Sequence, residues 1–96
     1  MTDPEARLHV FVDGVVQGVG FRYFVLDAAT AAGVRGWVRN LRDGRVEVVA
    51  EGTRSALEAL LADVARGPRG ARVERVDPTW EAPTGEFERF RLERTA

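Results

Sequence analysis

The hydrophobic pattern changes period at one place, and that place decides what the chain folds into. Leu8, Val10 and Val12 alternate with His9, Phe11 and Asp13, the signature of a half-buried strand. From Phe21 onward the apolar residues fall at helical spacing instead. Phe21, Phe24, Val25, Ala28 and Ala32 stand at i, i+3, i+4, i+7 and i+11, one stripe on one helix face. Between the two patterns lies Gly14-Val15-Val16-Gln17-Gly18-Val19-Gly20. A glycine-rich loop therefore joins a strand directly to the N-terminus of a helix and places Arg22 in its first turn. Helix N-termini leave N–H groups unpaired and carry partial positive charge. Glycines let the backbone approach a ligand closely. Residues 16–21 with Arg22, whose guanidinium is a planar fork of donors, are thus the parts of an anion cradle, most often one for phosphate. The plainer alternative is a tight corner followed by a solvated arginine. Neither the G-x-x-x-x-G-K-[ST] loop nor the three-glycine dinucleotide fingerprint is matched.

The rest of the chain extends this unit. Gly33 is placed to stop the first helix, and residues 34–41 read as a second strand with Val34, Gly36 and Val38 on one face. Arg42-Asp43-Gly44 is a hairpin loop. A two-residue turn would set Arg42 opposite Arg45, a like-charge pair, whereas a three-residue loop pairs Val38 with Val48 and Asn40 with Val46. The third strand, 45–51, turns Val46, Val48 and Ala50 inward. A second helix begins at Thr53, a good cap, or at Ser55, which has Glu58 in capping-box position. Leu57, Leu60, Leu61 and Val64 form its buried stripe, and Gly67-Pro68 ends it. Residues 71–77 make a fourth strand. Val73 and Val76 fall out of phase there, which a bulge explains. Asp77-Pro78 and Ala82-Pro83 mark a bend, and 87–93 closes the chain with Phe90 and Leu92 inward. The 96 residues make one small domain, expected over 7–94 after a flexible tail at 1–6. The order β-α-β-β-α-β plus a short strand is the α+β, ferredoxin-like plan: an antiparallel-dominated sheet with both helices on one face.

Composition narrows the function classes. A net charge of −1 gives no general affinity for nucleic acid or anionic membrane. Cysteine is absent, which excludes thiol nucleophiles and thiolate metal sites. Residues 1–6 are polar, and no run is long enough to span a bilayer, so a cytoplasmic protein is expected. The chain has no lysine, one glutamine (Gln17) and one asparagine (Asn40). Where amides are avoided so strongly, the positions that keep them invite a functional reading.

Both amides lie in windows that resemble the acylphosphatase family. Gly14-Val15-Val16-Gln17-Gly18-Val19-Gly20-Phe21-Arg22 is similar to its G-x-V-Q-G-V-x-F-R signature at every specified position. Gly36-Trp37-Val38-Arg39-Asn40-Leu41-Arg42-Asp43-Gly44-Arg45-Val46, with Gly52 beyond, is similar to its second signature, G-W-V-x-N-x-x-x-G-x-V-x-x-x-x-x-G. The resemblance implies hydrolysis of acyl phosphates to a carboxylate and inorganic phosphate, with no metal or cofactor. It implies that Arg22 and the loop Val16, Gln17, Gly18, Val19, Gly20 and Phe21 bind phosphate, and that Asn40 holds the attacking water. The proton acceptor it implies is a phosphate oxygen of the substrate itself.

Elementary chemistry agrees with that assignment. Phosphoryl transfer is governed by positioning and charge stabilisation. A carboxylate is already a weak base and needs little help to leave, so a general acid is dispensable. The Asn40 amide does not titrate and can only orient water. A structural role for Asn40, bonding backbone groups to fix the turn, stands as the alternative. His9 reads as structural or surface, and Asp13, Asp43, Glu47 and Glu51 as solvated faces and a turn. Arg35, Arg39, Arg42 and Arg45 do not make an RNA site, because the third strand has no aromatic residue to stack a base. The second functional reading is a binding module that holds a phosphorylated ligand with little turnover. No loop is long enough for an acyl pocket, so weak selectivity is expected, in a monomer.

Overall fold

Alternation in the sequence becomes layering in the molecule. The computed structural model describes residues 3–96. Its elements are β1 (Glu5–Val15), α1 (Phe21–Ala32), β2 (Arg35–Asn40), β3 (Val46–Thr53), α2 (Arg54–Arg66), β4 (Arg72–Glu81) and β5 (Phe90–Leu92). They form a five-stranded sheet in the order β4-β1-β3-β2-β5. All neighbours are antiparallel except β2 and β5, which run parallel. This is the expected ferredoxin-like α+β arrangement. Leu8, Val10 and Val12 of β1, Val38 of β2, and Val46, Val48 and Ala50 of β3 are fully buried. They pack with Phe21, Val25 and Ala29 of α1 and with Leu57, Leu60 and Val64 of α2 in one core. No helix among the described residues is long and apolar enough to cross a membrane.

Turn chemistry sets the boundaries. Gly33 and Val34 close α1 by donating to Thr30 O at 3.1 Å and Ala29 O at 3.1 Å, a Schellman ending. Asn40 pairs with Val46 and Val38 with Val48, as the three-residue loop requires. Thr53, rather than Ser55, caps α2: its hydroxyl accepts from Ala56 N at 3.2 Å. Glu58 is thereby free to pair with Arg54 one turn back.

Two boundaries move outward from those expected. β1 begins at Glu5, because Glu5 and Ala6 pair with Thr53 and Gly52; Met1 and Thr2 of the expected tail lie outside the described residues. Pro4 O accepts from Arg54 N, and the Asp3 carboxylate accepts from Ser55 N, so this segment also serves the start of α2. β4 runs through Pro78 to Glu81, since an edge strand tolerates a residue without an N–H. Its bulge is present: Asp13 faces Arg75 while Gly14 faces Val73, leaving Glu74 as the extra residue. Gly14 is required here, because a Cβ on it would collide with the Arg72 carbonyl.

The uncovered face of the sheet departs from the sequence reading. Glu47 and Glu51 were expected on solvated faces, yet they are only 6% and 0% exposed. β3 is the middle strand, and longer side chains from its neighbours close over both carboxylates. Glu47 takes hydrogen bonds from His9 at 2.6 Å and Arg39 at 2.8 Å. Arg39 also lies over the Trp37 ring at 4.5 Å. Glu51 is met by Arg7 at 2.9 Å, Thr84 N at 2.9 Å, Thr84 Oγ1 at 2.8 Å and Gly85 N at 2.9 Å. Burial alone would raise its carboxyl. The backbone donors of Thr84 and Gly85, the Thr84 hydroxyl and Arg7 outweigh that and hold it at about 2. The Glu51 carboxylate thus pins the long connection between β4 and β5 to the sheet.

Candidate active site

The candidate site is built on apolar pegs. Val16 and Phe21 are each 1% exposed, and Val19 packs against the same core. These three side chains fix the loop from β1 to α1, while Gly18 and Gly20 between them are exposed. Gly18 and Gly20 have φ of 73° and 75°, left-handed values that glycine adopts without strain. Gly20 is the N-cap of α1 and brings no side chain to its end; the first intrahelical bond is Phe24 N to Gly20 O at 3.0 Å. Among the described residues, no backbone or side-chain acceptor takes the N–H groups of residues 16–23. The first turn of α1 also contains no acidic residue. These donors and the helix dipole together favour an anion.

Arg22 is half-buried in that turn. Arg7, Arg35, Arg39, Arg45, Arg54, Arg66, Arg75 and Arg91 all form ion pairs. Arg22 forms none among the described residues, so its charge is uncompensated beside the unpaired N–H groups.

Asn40 ends β2. It stands opposite Val46 in the register with β3, and its carbonyl accepts from Ala96 N at 3.0 Å. Its side-chain oxygen is buried and has no hydrogen-bond partner among the described residues. The turn is held instead by Asp43, whose carboxylate accepts from Arg45 N at 3.1 Å and Arg45 Nε at 2.8 Å. The backbone hydrogen bond from Arg45 is the first cause of the lowered Asp43 carboxyl.

Gln17 brings the two halves together. Its side chain leaves the cradle and donates to Leu41 O at 2.7 Å and Arg45 O at 2.9 Å, on either side of the hairpin loop that follows Asn40. The sequence singles Gln17 out as a lone amide but places it only within the loop. A bond to residues 24 and 28 positions away leaves no local signal. His9, the one histidine, is engaged with Glu47 on the uncovered face and belongs to the fold.

The comparisons with known proteins agree along nearly the whole chain. A profile of the acylphosphatase family matches residues 8–92. A protein of Chloroflexus aurantiacus named acylphosphatase is 57% identical over 79 residues, covering 82% of this chain and 86% of its own. One of Roseiflexus sp. with the same name is 54% identical over 87 residues, covering 91% and 94%. The crystal structure of acylphosphatase from Bacillus subtilis superposes with a TM-score of 0.89 at 39% identity, covering 92% of this chain and 98% of that one. Matches of this identity and coverage place both the motif-bearing loops and the scaffold that carries them in one lineage, and this chain belongs to the acylphosphatase family.

Proposed function

We propose that the protein's acylphosphatase activity, the splitting of an acyl phosphate into a carboxylate and inorganic phosphate, is divided between two loops. The N–H groups of Val16, Gln17, Gly18, Val19, Gly20 and Phe21 receive the phosphoryl oxygens, and Arg22 binds the same group through its guanidinium fork. Asn40 holds a water in line with phosphorus. The carboxylate leaves on the opposite side without a proton, and the water's proton passes to a phosphate oxygen. The charge that develops is met by Arg22 and the backbone donors, so hydrolysis runs without a metal ion.

The observation that carries this reading is the Asn40 side chain. A buried amide oxygen costs stability unless it has a partner, and a water donating to it supplies one. The structural alternative would have that side chain bonded to the turn, which Asp43 serves instead. Nothing supports the alternative of a binding module with little turnover.

A monomer acting in the cytoplasm on small free acyl phosphates fits the surface. The edge strand β4 carries Arg72, Glu74, Arg75, Asp77 and Pro78, which discourage strand-to-strand association. Gel filtration and cell fractionation check those two points. For the chemistry, the purified protein is expected to hydrolyse acetyl or benzoyl phosphate equally well with and without a chelator. It should leave an alkyl phosphate intact, because the site offers no acid to protonate an alkoxide. Loss of activity in chelator with recovery in Mg²⁺, or comparable turnover of the alkyl phosphate, would contradict the mechanism.

A further inference from the structure

We propose that Gln17 is a positioning residue for hydrolysis: its side-chain amide sets the separation between the anion cradle and the water held by Asn40. The inference rests on the assignment of that water to Asn40 and goes beyond it. Among the described residues, Gln17 is the cradle residue whose side chain hydrogen-bonds to the hairpin. Nε2 donates to Leu41 O at 2.7 Å and to Arg45 O at 2.9 Å. Two carbonyl acceptors fix which end of the amide faces them, and both of its N–H bonds are used.

Neither bond is needed to form the hairpin. Leu41 N already donates to Arg45 O at 2.8 Å, and Gly44 N already donates to Leu41 O at 3.1 Å. The loop closes on itself, and Gln17 supplies a second donor to carbonyls that have a second lone pair to offer. What the two extra bonds add is a fixed distance between Gln17 and the residue after Asn40. An in-line attack depends on that distance, because the phosphorus is held from the cradle and the water from β2. Binding of phosphate does not depend on it, because Arg22 and the N–H groups lie on the cradle side alone.

This predicts a loss in turnover rather than affinity, and a loss that acts through Asn40. The test is a double-mutant cycle of Gln17→Ala and Asn40→Ala, with Gln17→Met as a second replacement that keeps length and lacks donors. In the otherwise unaltered protein, either Gln17 variant is expected to lower kcat by about tenfold or more, with KM and inhibition by inorganic phosphate within about threefold. In the Asn40→Ala background the same changes are expected to lower kcat by less than about threefold, because the water they position is no longer held. A full, additive loss in that background would overturn the inference while leaving Asn40's role intact. So would phosphate affinity that falls in step with kcat, or unchanged kcat in a folded Gln17→Met protein. An Asn40→Ala protein that keeps more than about a tenth of wild-type kcat would remove the reading beneath it, and the inference with it.

Discussion

The uncovered face of the sheet and the end where β1 meets α1 treat polar groups in opposite ways. On the uncovered face the two buried glutamates and the side chains that close over them are paired. Glu51 collects four donors, Glu47 collects two, and Arg7 is shared between Glu51, Glu81 and Glu86. Burial alone would lower the Arg7 guanidinium, but its bonds to Glu86 and Glu51 outweigh that and raise it. At the end where β1 meets α1 a run of N–H groups, the Arg22 guanidinium and the Asn40 oxygen lack partners among the described residues. The same 96-residue chain thus satisfies its charges where it needs rigidity and withholds satisfaction at the proposed ligand site. The saturated groups of the uncovered face hold the fold together, and the unsaturated ones at the loop are those assigned to the ligand.

Arg22→Lys should give the largest separation of the two regions. An ammonium on a flexible stem cannot reproduce two parallel bonds to phosphate oxygens. By the scale of arginine contributions to phosphoryl transfer, kcat/KM is expected to fall by about three powers of ten. Inhibition by inorganic phosphate should weaken with it, while the melting temperature holds. Phosphate inhibition at the wild-type level in this variant would put the anion elsewhere.

Glu51→Gln should behave in the opposite sense. The folded carboxyl at about 2 lies below its ordinary 4.5, so its stabilisation is complete above 4.5 and is lost as pH falls toward 2. Near neutral pH the variant is expected to lose on the order of 3 kcal/mol. That corresponds to a Tm lower by roughly 10–20 °C for a domain of this size. Activity measured well below Tm should persist. In melts taken from pH 6 down to pH 2, the Tm values of the two proteins should converge, and a gap that stays constant would mean the stabilisation is not ionic. Arg66→Ala, which breaks an exposed ion pair with Asp63 on α2, should change stability by less than about 0.5 kcal/mol and leave kcat unaltered.

The contrast also explains what the sequence revealed. Element order, the three-residue hairpin, a bulge in the fourth strand and the glycine-rich loop were all legible, because period, turn chemistry and like-charge avoidance are local. Arg22 and Asn40 stood out through the signatures and the scarcity of amides. The burial of Glu47 and Glu51 was not legible. In an alternating strand a glutamate reads as solvent-facing, and only the fold shows Arg7, His9, Arg39 and the Thr84–Gly85 turn closing over these two. Gln17's grip on Leu41 and Arg45 was hidden for the same reason, since partners distant in sequence leave no periodic trace. The extension of β4 past Pro78 required knowing that β4 is an edge.

The central claim is that the unpartnered Asn40 side chain holds the attacking water. Steady-state kinetics of Asn40→Ala, with its melting curve, test it most directly. Substrate still meets Arg22 and the N–H cradle, so KM should change little, while kcat falls by about two powers of ten or more. Stability should drop by no more than about 1 kcal/mol. An Asn40→Ala protein that keeps more than about a tenth of wild-type kcat, or one that loses its fold while its residual folded fraction stays fully active, would contradict the assignment.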